Sequence, residues 1–266
     1  MKIGFIGTGN MGGALARAAA KGGHTLLLAN RTPAKAEALA KELGGTVCPN
    51  AEAAEKAELL FLGVKPQGLP GLAGELAPVL QARKGNAPVV VSMAAAVTLR
   101  ELDAMLGGGL PLIRIMPNTP AAVGAGTILY AAQNVTDAQL NAFRAVLAQA
   151  GLLLPLPEAQ IDAASAISGC GPAFCFQFAD ALALGGVRVG LSYPDACRLA
   201  AQTMLGAAEM LLQGGEAPDV LKMRVCSPAG TTIEGVLALE QGGFSYTVQN
   251  AVTAAYRRTV EMTKKG

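Results

Sequence analysis

The stretch KIGFIGTGNMGGALARAAA, residues 2–20, constrains the fold more than any other part of the chain. A positive charge, apolar residues and alanines also compose a secretory leader, which would need an unbroken apolar segment of about 7–15 residues before its cleavage site. Thr8, Gly9, Asn10, Gly12 and Gly13 interrupt the run after Ile3–Gly7, so the leader is rejected. Lys2 to Ile6 instead suits a buried strand, Gly7-Thr8-Gly9-Asn10-Met11-Gly12 a glycine turn, and Ala14 to Ala20 a helix. In that order the first glycine permits a tight turn, the second lets a pyrophosphate approach the backbone, and the third lets the helix lie on the strand. The free N–H groups at the helix start face the phosphates. Ile6, Gly7, Thr8, Gly9, Asn10, Met11 and Gly12 are therefore expected to form a dinucleotide cradle.

The next apolar run, Thr25 to Ala29, ends in Asn30-Arg31-Thr32. An NAD-preferring site places Asp or Glu about 20 residues beyond the glycines to grip the ribose hydroxyls. Here no carboxylate occurs before Glu37, and Asn30, Arg31 and Thr32 offer donors to a 2′-phosphate. NADPH is favoured, with NADH kept as the alternative. His24, the single histidine, is given no role.

Further along, helical spacing over 33–43 and 51–56, a strand over 58–63, helix between Pro70 and Pro78, a strand over 88–93, helix over 98–106 and a strand over 111–116 alternate. This alternation predicts an α/β fold with a doubly wound, mostly parallel sheet, and ligands bound outside the carboxyl ends of the strands. Three segments leave those ends: Val64-Lys65-Pro66, Ser92 to Ala95, and Pro117-Asn118-Thr119-Pro120. Lys65 fits either a cofactor phosphate or ribose, or a solvated position before proline. Asn118, bracketed by prolines, fits either a structural turn or a cofactor contact.

A helix over 137–149 and a last strand over 152–156 precede Pro157, after which the texture changes. From Ile161 onward the chain is expected to be helical, with breaks at 169–172, 185–186, 214–218 and 228–230. The boundary is placed at 157, giving domains 1–157 and 158–266. The second is rich in alanine and glycine and apolar enough to be expected in a dimer. In it, Ser227-Pro228-Ala229-Gly230-Thr231-Thr232 leads into a helix whose first N–H groups suit a carboxylate; a plain capping turn is the competing explanation.

Composition narrows the classes that remain. Apolar residues make up 52% of the 266 residues, and the net charge of +2 leaves no electrostatic footprint for nucleic acid or a membrane surface. Aromatics at 4% with no tryptophan argue against base-stacking platforms. Five cysteines without a C-x-x-C pair, beside one histidine, form no zinc-type cluster. They suggest reduced thiols and a cytoplasmic protein. No apolar run reaches the roughly 20 residues of a membrane span.

Five motifs now stand in order: Gly7 to Gly12, Val64-Lys65-Pro66-Gln67, Arg114 to Pro120, Ser168-Gly169-Cys170-Gly171-Pro172-Ala173-Phe174, and Ser227 to Thr232. Together they resemble the pyrroline-5-carboxylate reductase family, along most of the chain. The resemblance implies an N-terminal Rossmann domain and an all-α C-terminal dimerisation domain that interlocks two subunits, with a larger ring of dimers a further prospect. It implies reduction of 1-pyrroline-5-carboxylate to L-proline, the last step of proline biosynthesis. Asn30, Arg31, Asn50, Lys65 and Ala95 would lie along NADPH; Val64, Pro66 and Asn118 complete the expected cofactor set. Ser227, Gly230, Thr231 and Thr232 would hold the substrate carboxylate, with Thr232 hydrogen-bonded to the ring nitrogen and Glu158 on the substrate side. Cys170 and Ala229 depart from the family's usual Ser and Gly. The rivals are a 3-hydroxyacid dehydrogenase or imine reductase of similar two-domain build, and a non-catalytic NADPH-binding protein.

Overall fold

The computed structural model describes residues 1–263. Its first strands form where short apolar runs meet glycine, proline and asparagine. β1 (Lys2–Ile6), α1 (Asn10–Ala20), β2 (Thr25–Ala29), α2 (Pro33–Leu43), β3 (Thr46–Val47), α3 (Asn50–Lys56), β4 (Leu59–Leu62), α4 (Leu69–Ala82), β5 (Val89–Ser92), α5 (Leu99–Met105) and β6 (Leu112–Pro117) follow one another. Then come β7 (Gly126–Gln133), α6 (Asp137–Leu147), β8 (Gly151–Pro155) and α7 (Glu158–Ser168). The eight strands form one sheet in the order β3-β2-β1-β4-β5-β6-β7-β8. Only the β6–β7 pairing is antiparallel. β1 lies between β2 and β4: the chain travels outward to β3, then crosses back to β4 on the other side of β1, so the crevice between the ends of β1 and β4 is the switch point where such folds bind ligands.

The sheet is covered on both faces, which is why its strands are apolar throughout rather than alternating. Ile3, Phe5, Leu26 and Leu28 pack with α1, α2 and α6 on one side. Ile6, Leu27, Leu60 and Leu62 pack with α3, α4 and α5 on the other. The rings of Phe5 and Phe61 stack at 4.6 Å between adjacent strands.

Two expectations need correction. β7 had no counterpart in the strand–helix alternation. After β6 the chain turns through a 3-10 segment, Thr119–Val123, and returns directly alongside β6, burying Ile128, Leu129 and Tyr130. α4 does not stop at Pro78 but runs on to Ala82. The hydrogen bond that proline cannot give would go to the Gly74 carbonyl; Gly74 is exposed, so that carbonyl is open to solvent and the helix tolerates the proline. By length and composition one helical stretch, Glu158–Arg188, would pass for a membrane span, but no unbroken apolar run in it is that long. Glu158, Asp162, Asp180 and Arg188 lie along it.

The chain divides into two compact units, Met1–Cys170 with the chain from Tyr256 on, and Gly171–Ala255. α7 belongs to the first because it packs against β6 and β7. The second unit holds α8 (Gly171–Arg188), α9 (Tyr193–Gly214), α10 (Pro218–Arg224), α11 (Thr231–Gln241) and most of α12 (Phe244–Thr263). The expected break at 185–186 is absent: α8 continues through it. A Cβ on Gly186 would sit 3.0 Å from that of Ala196, so the glycine admits α9 at close range instead of ending the helix.

Candidate functional site

The glycine turn after β1 is packed on two sides and open on the third. Gly7 has φ +97°, and a Cβ there would meet the carbonyl oxygen of Gly63 at 2.5 Å. Gly63 closes the end of β4 with the same intolerance toward Gly7. A Cβ on Gly12 would strike the Gly7 carbonyl oxygen, so α1 rests on the end of β1 only because position 12 is glycine. A Cβ on Gly9 would meet nothing within 4 Å. Gly9 also begins α1 without any side-chain cap, and no acidic residue stands in the first turn. The first N–H groups of α1 therefore lack helical partners and face no carboxylate of their own turn.

Beneath this turn lies a cavity of about 960 Å³, at the upper end of what small-molecule sites occupy. Ile6, Gly7, Gly9, Asn30, Arg31, Asn50, Val64 and Lys65 of the expected set line it. Thr32 and Lys35 join Arg31 at the end of β2, giving a cationic rim with no carboxylate from that strand end. The acidic residue in the lining is Glu75 on α4, which accepts a hydrogen bond from Asn50 Nδ2 at 3.0 Å. Cys48 also lines the cavity, and burial pushes its thiol pKa up, so it stays protonated and inert. Thr8, Gly9 and Asn10 line a smaller recess of about 260 Å³ with Arg17 and Lys35. The Thr8 hydroxyl is buried with no hydrogen-bond partner among the described residues. An open Gly9, an uncapped helix start and an orphaned hydroxyl together fit the diphosphate of a dinucleotide. Met11, Gly12, Pro66, Ala95 and Asn118 are not among the lining residues.

Two asparagines do other work than expected. Asn30 accepts from the Thr8 N–H at 3.0 Å and donates to the Thr32 carbonyl at 2.9 Å. Its amide clips the glycine turn to the end of β2, so the donors left for a 2′-phosphate there are Arg31, Thr32 and Lys35. Asn118 is buried; it donates to the Ser168 carbonyl and accepts from the Thr127 N–H, both at 2.8 Å. That is the structural turn, not a cofactor contact.

In the helical unit, the Ser227–Thr232 turn closes on itself. The Gly230 N–H donates to the Ser227 carbonyl at 3.0 Å. It is thus committed, and the N–H groups of Thr231 and Thr232 at the start of α11 are the unpaired ones. Ser227, Thr231 and Thr232 are exposed, and Gly230 begins the helix with no side-chain cap. This corrects the expected carboxylate grip at Gly230. Ala229 has φ +56°, a left-handed conformation that suits the family's glycine better than alanine.

Glu158 is committed as well. Its Oε1 accepts from the Leu99 N–H at 2.6 Å and lies 3.4 Å from Arg114 Nη1. Arg114 itself, quoted in the sequence only as part of a motif, is buried and also pairs with Asp162 at 2.5 Å.

Comparison with known proteins places these features in one lineage. A family model described as pyrroline-5-carboxylate reductase dimerisation matches residues 158–262, and one described as NADP oxidoreductase, coenzyme F420-dependent, matches residues 2–96. A pyrroline-5-carboxylate reductase of Synechocystis is 39% identical over 100% of this chain and 99% of its own. The chain belongs to the pyrroline-5-carboxylate reductase family. A solved reductase of this family from Coxiella burnetii superposes with a TM-score of 0.90 at 32% identity, covering 97% of both chains. One from Plasmodium falciparum, described with NADP bound, gives 0.86 at 30% identity, with 99% of this chain and 98% of that one covered. Likeness to an imine reductase of Streptomyces aurantiacus and to a 3-hydroxyisobutyrate dehydrogenase of Mycobacterium tuberculosis, at 19% and 16% identity, extends to the fold alone.

Membership in the family leaves Arg114 as the residue that sequence reasoning missed. The signal was a charged residue at the centre of an apolar strand, PLIRIM, which a sheet covered on both faces tolerates only with a partner.

Proposed function

We infer that this chain reduces 1-pyrroline-5-carboxylate to L-proline with a nicotinamide cofactor, NADPH in preference to NADH. The observation that carries this is the glycine turn of β1, closed at Gly7 and Gly12, open at Gly9, above a cavity with a cationic rim. When bound, NADPH supplies the hydride that reduces the ring C=N bond. The α1 N–H groups and the Thr8 hydroxyl would hold its diphosphate, and Arg31, Thr32 and Lys35 its 2′-phosphate. Asn30 serves by fixing the turn, and Asn50, Val64 and Lys65 by lining the cavity that would take the cofactor, while Pro66 and Ala95 stand in the loops that leave β4 and β5.

The Thr231 and Thr232 N–H groups would bind the substrate carboxylate, and Ser227 shapes their turn. The Thr232 hydroxyl oxygen would accept a hydrogen bond from the protonated ring N–H and so set the ring's orientation. The imine takes its proton from water before reduction, so this chain's contribution is alignment. In functional terms, residues 1–157 would form the nucleotide half and 158–266 the dimerisation and substrate half, a division that the dimerisation model's start at 158 supports although α7 packs with the sheet. The helices pair two subunits, and a ring of dimers follows as a higher assembly. A cytoplasmic place in proline biosynthesis, with no nucleic-acid or membrane partner, completes the proposal; the near-neutral charge supports it.

Steady-state oxidation of NADPH and of NADH with pyrroline-5-carboxylate tests the reaction. A Thr232→Ala variant should lose about 100-fold in kcat, the lower end of what losing one preorganised hydrogen bond costs, with NADPH affinity changed less than twofold. Unchanged turnover would remove Thr232 from the site.

A further inference from the structure

We propose that Arg114, acting through Glu158, is a positioning residue for the reduction; the inference rests on the function proposed above. Arg114 sits in β6, in register with Ser92 of β5 and Ala131 of β7. An arginine buried at the middle of a covered sheet is expensive unless its fork is matched by acceptors. Both matching carboxylates come from the first two turns of α7. Glu158 and Asp162 are four residues apart and so share one face of the helix. The Arg114 Nε remains buried without a hydrogen-bond partner among the described residues, so the fork is aimed at α7 even at the expense of one donor.

What this fork holds is the loop between β5 and α5. Glu158 Oε1 takes the Leu99 N–H, the first of α5. Thr98 and Glu101 cap the same helix reciprocally, Thr98 Oγ1 accepting from the Glu101 N–H and Glu101 Oε2 from the Thr98 N–H. At the other end of the loop the buried Ser92 hydroxyl accepts from the Ala94 N–H at 3.3 Å. Between these two anchors, Ala96 is held at φ +61°. Alanine keeps a left-handed backbone only where its surroundings over-determine it. The loop leaves the carboxyl end of β5, the edge of the sheet at which ligands bind, and carries Ala95. Arg114 orients Glu158, Glu158 fixes Leu99, and the loop is thereby held in one shape.

Glu158, which is partly exposed, is the residue to vary, since truncating Arg114 would leave two carboxylates facing a hole. Glu158→Ala removes the acceptor; Glu158→Gln removes the charge but keeps an oxygen for the Leu99 N–H. Amide hydrogen exchange of the free protein is read first. Exchange at the Ala94–Leu99 amides should rise at least tenfold in Glu158→Ala and less than threefold in Glu158→Gln. Kinetics with NADPH and pyrroline-5-carboxylate should then show kcat down about tenfold in Glu158→Ala, KM for pyrroline-5-carboxylate within threefold of the parent, and kcat recovered within threefold in Glu158→Gln. Loop exchange unchanged in Glu158→Ala overturns the proposal. So does a glutamine variant as impaired as the alanine one, which would make the charge rather than the acceptor the working part. A parent protein that consumes no cofactor with the imine would instead refute the proposed function, leaving the exchange result to judge the loop.

Discussion

The sheet-bearing unit and the helical unit solve the same problem of hiding apolar surface in opposite ways. In the first, strand side chains such as Ile3, Leu28, Leu60 and Phe61 are wholly shielded by helices on both sides. In the second, residues 171–255, only Ala183, Ala196 and Ala200 are buried, while Phe176 is 70% and Leu212 80% exposed. The first unit is complete as one chain. The second leaves apolar surface uncovered, and the match of residues 158–262 to a family model described as pyrroline-5-carboxylate reductase dimerisation supports a partner subunit as its cover. A single sequence therefore carries one core closed within itself and a second apolar surface that the proposed pairing of subunits would cover.

The contrast predicts different responses to the same kind of damage. Phe61→Ala removes a ring stacked between strands and should cost about 3–5 kcal/mol of stability, seen as a lowered urea midpoint that does not depend on protein concentration. Phe176→Asp should leave the sheet intact and instead shift the subunit equilibrium by at least tenfold towards monomer, read by analytical ultracentrifugation. A midpoint that falls in both variants without any change in association would erase the distinction. The smallest expected effect lies at the two left-handed alanines, one in each unit. Ala96→Gly and Ala229→Gly should each raise stability by about 1 kcal/mol, measured by denaturant unfolding. A loss of stability at either would mean that the methyl group has a packing role.

The strands were the most legible part. Lys2–Ile6 and Thr25–Ala29 match their expected bounds because each is a short apolar run punctuated by residues that cannot continue it. β7 escaped because GTILYAAQ has the right composition, but its pairing depends on a chain reversal through Thr119–Val123 that alternation did not anticipate. Of the candidate site, the glycines were legible in both place and job, since their role is steric and local. Asn30, Asn118 and Gly230 were legible only as polar or flexible groups at turns; which hydrogen bonds they make is decided by neighbours the sequence does not bring together. Arg114 is the extreme case, with partners 44 and 48 residues further on.

The Asn30 clip bears on any attempt to redesign which coenzyme is used. Exchanging that residue for aspartate, the obvious route to an NADH enzyme, would keep the acceptor for Thr8 but delete the donor to Thr32, loosening the phosphate turn while altering the ribose pocket. Arg31, whose side chain forms no ion pair among the described residues, lets the recognition chemistry be rewritten without touching the hinge that holds it.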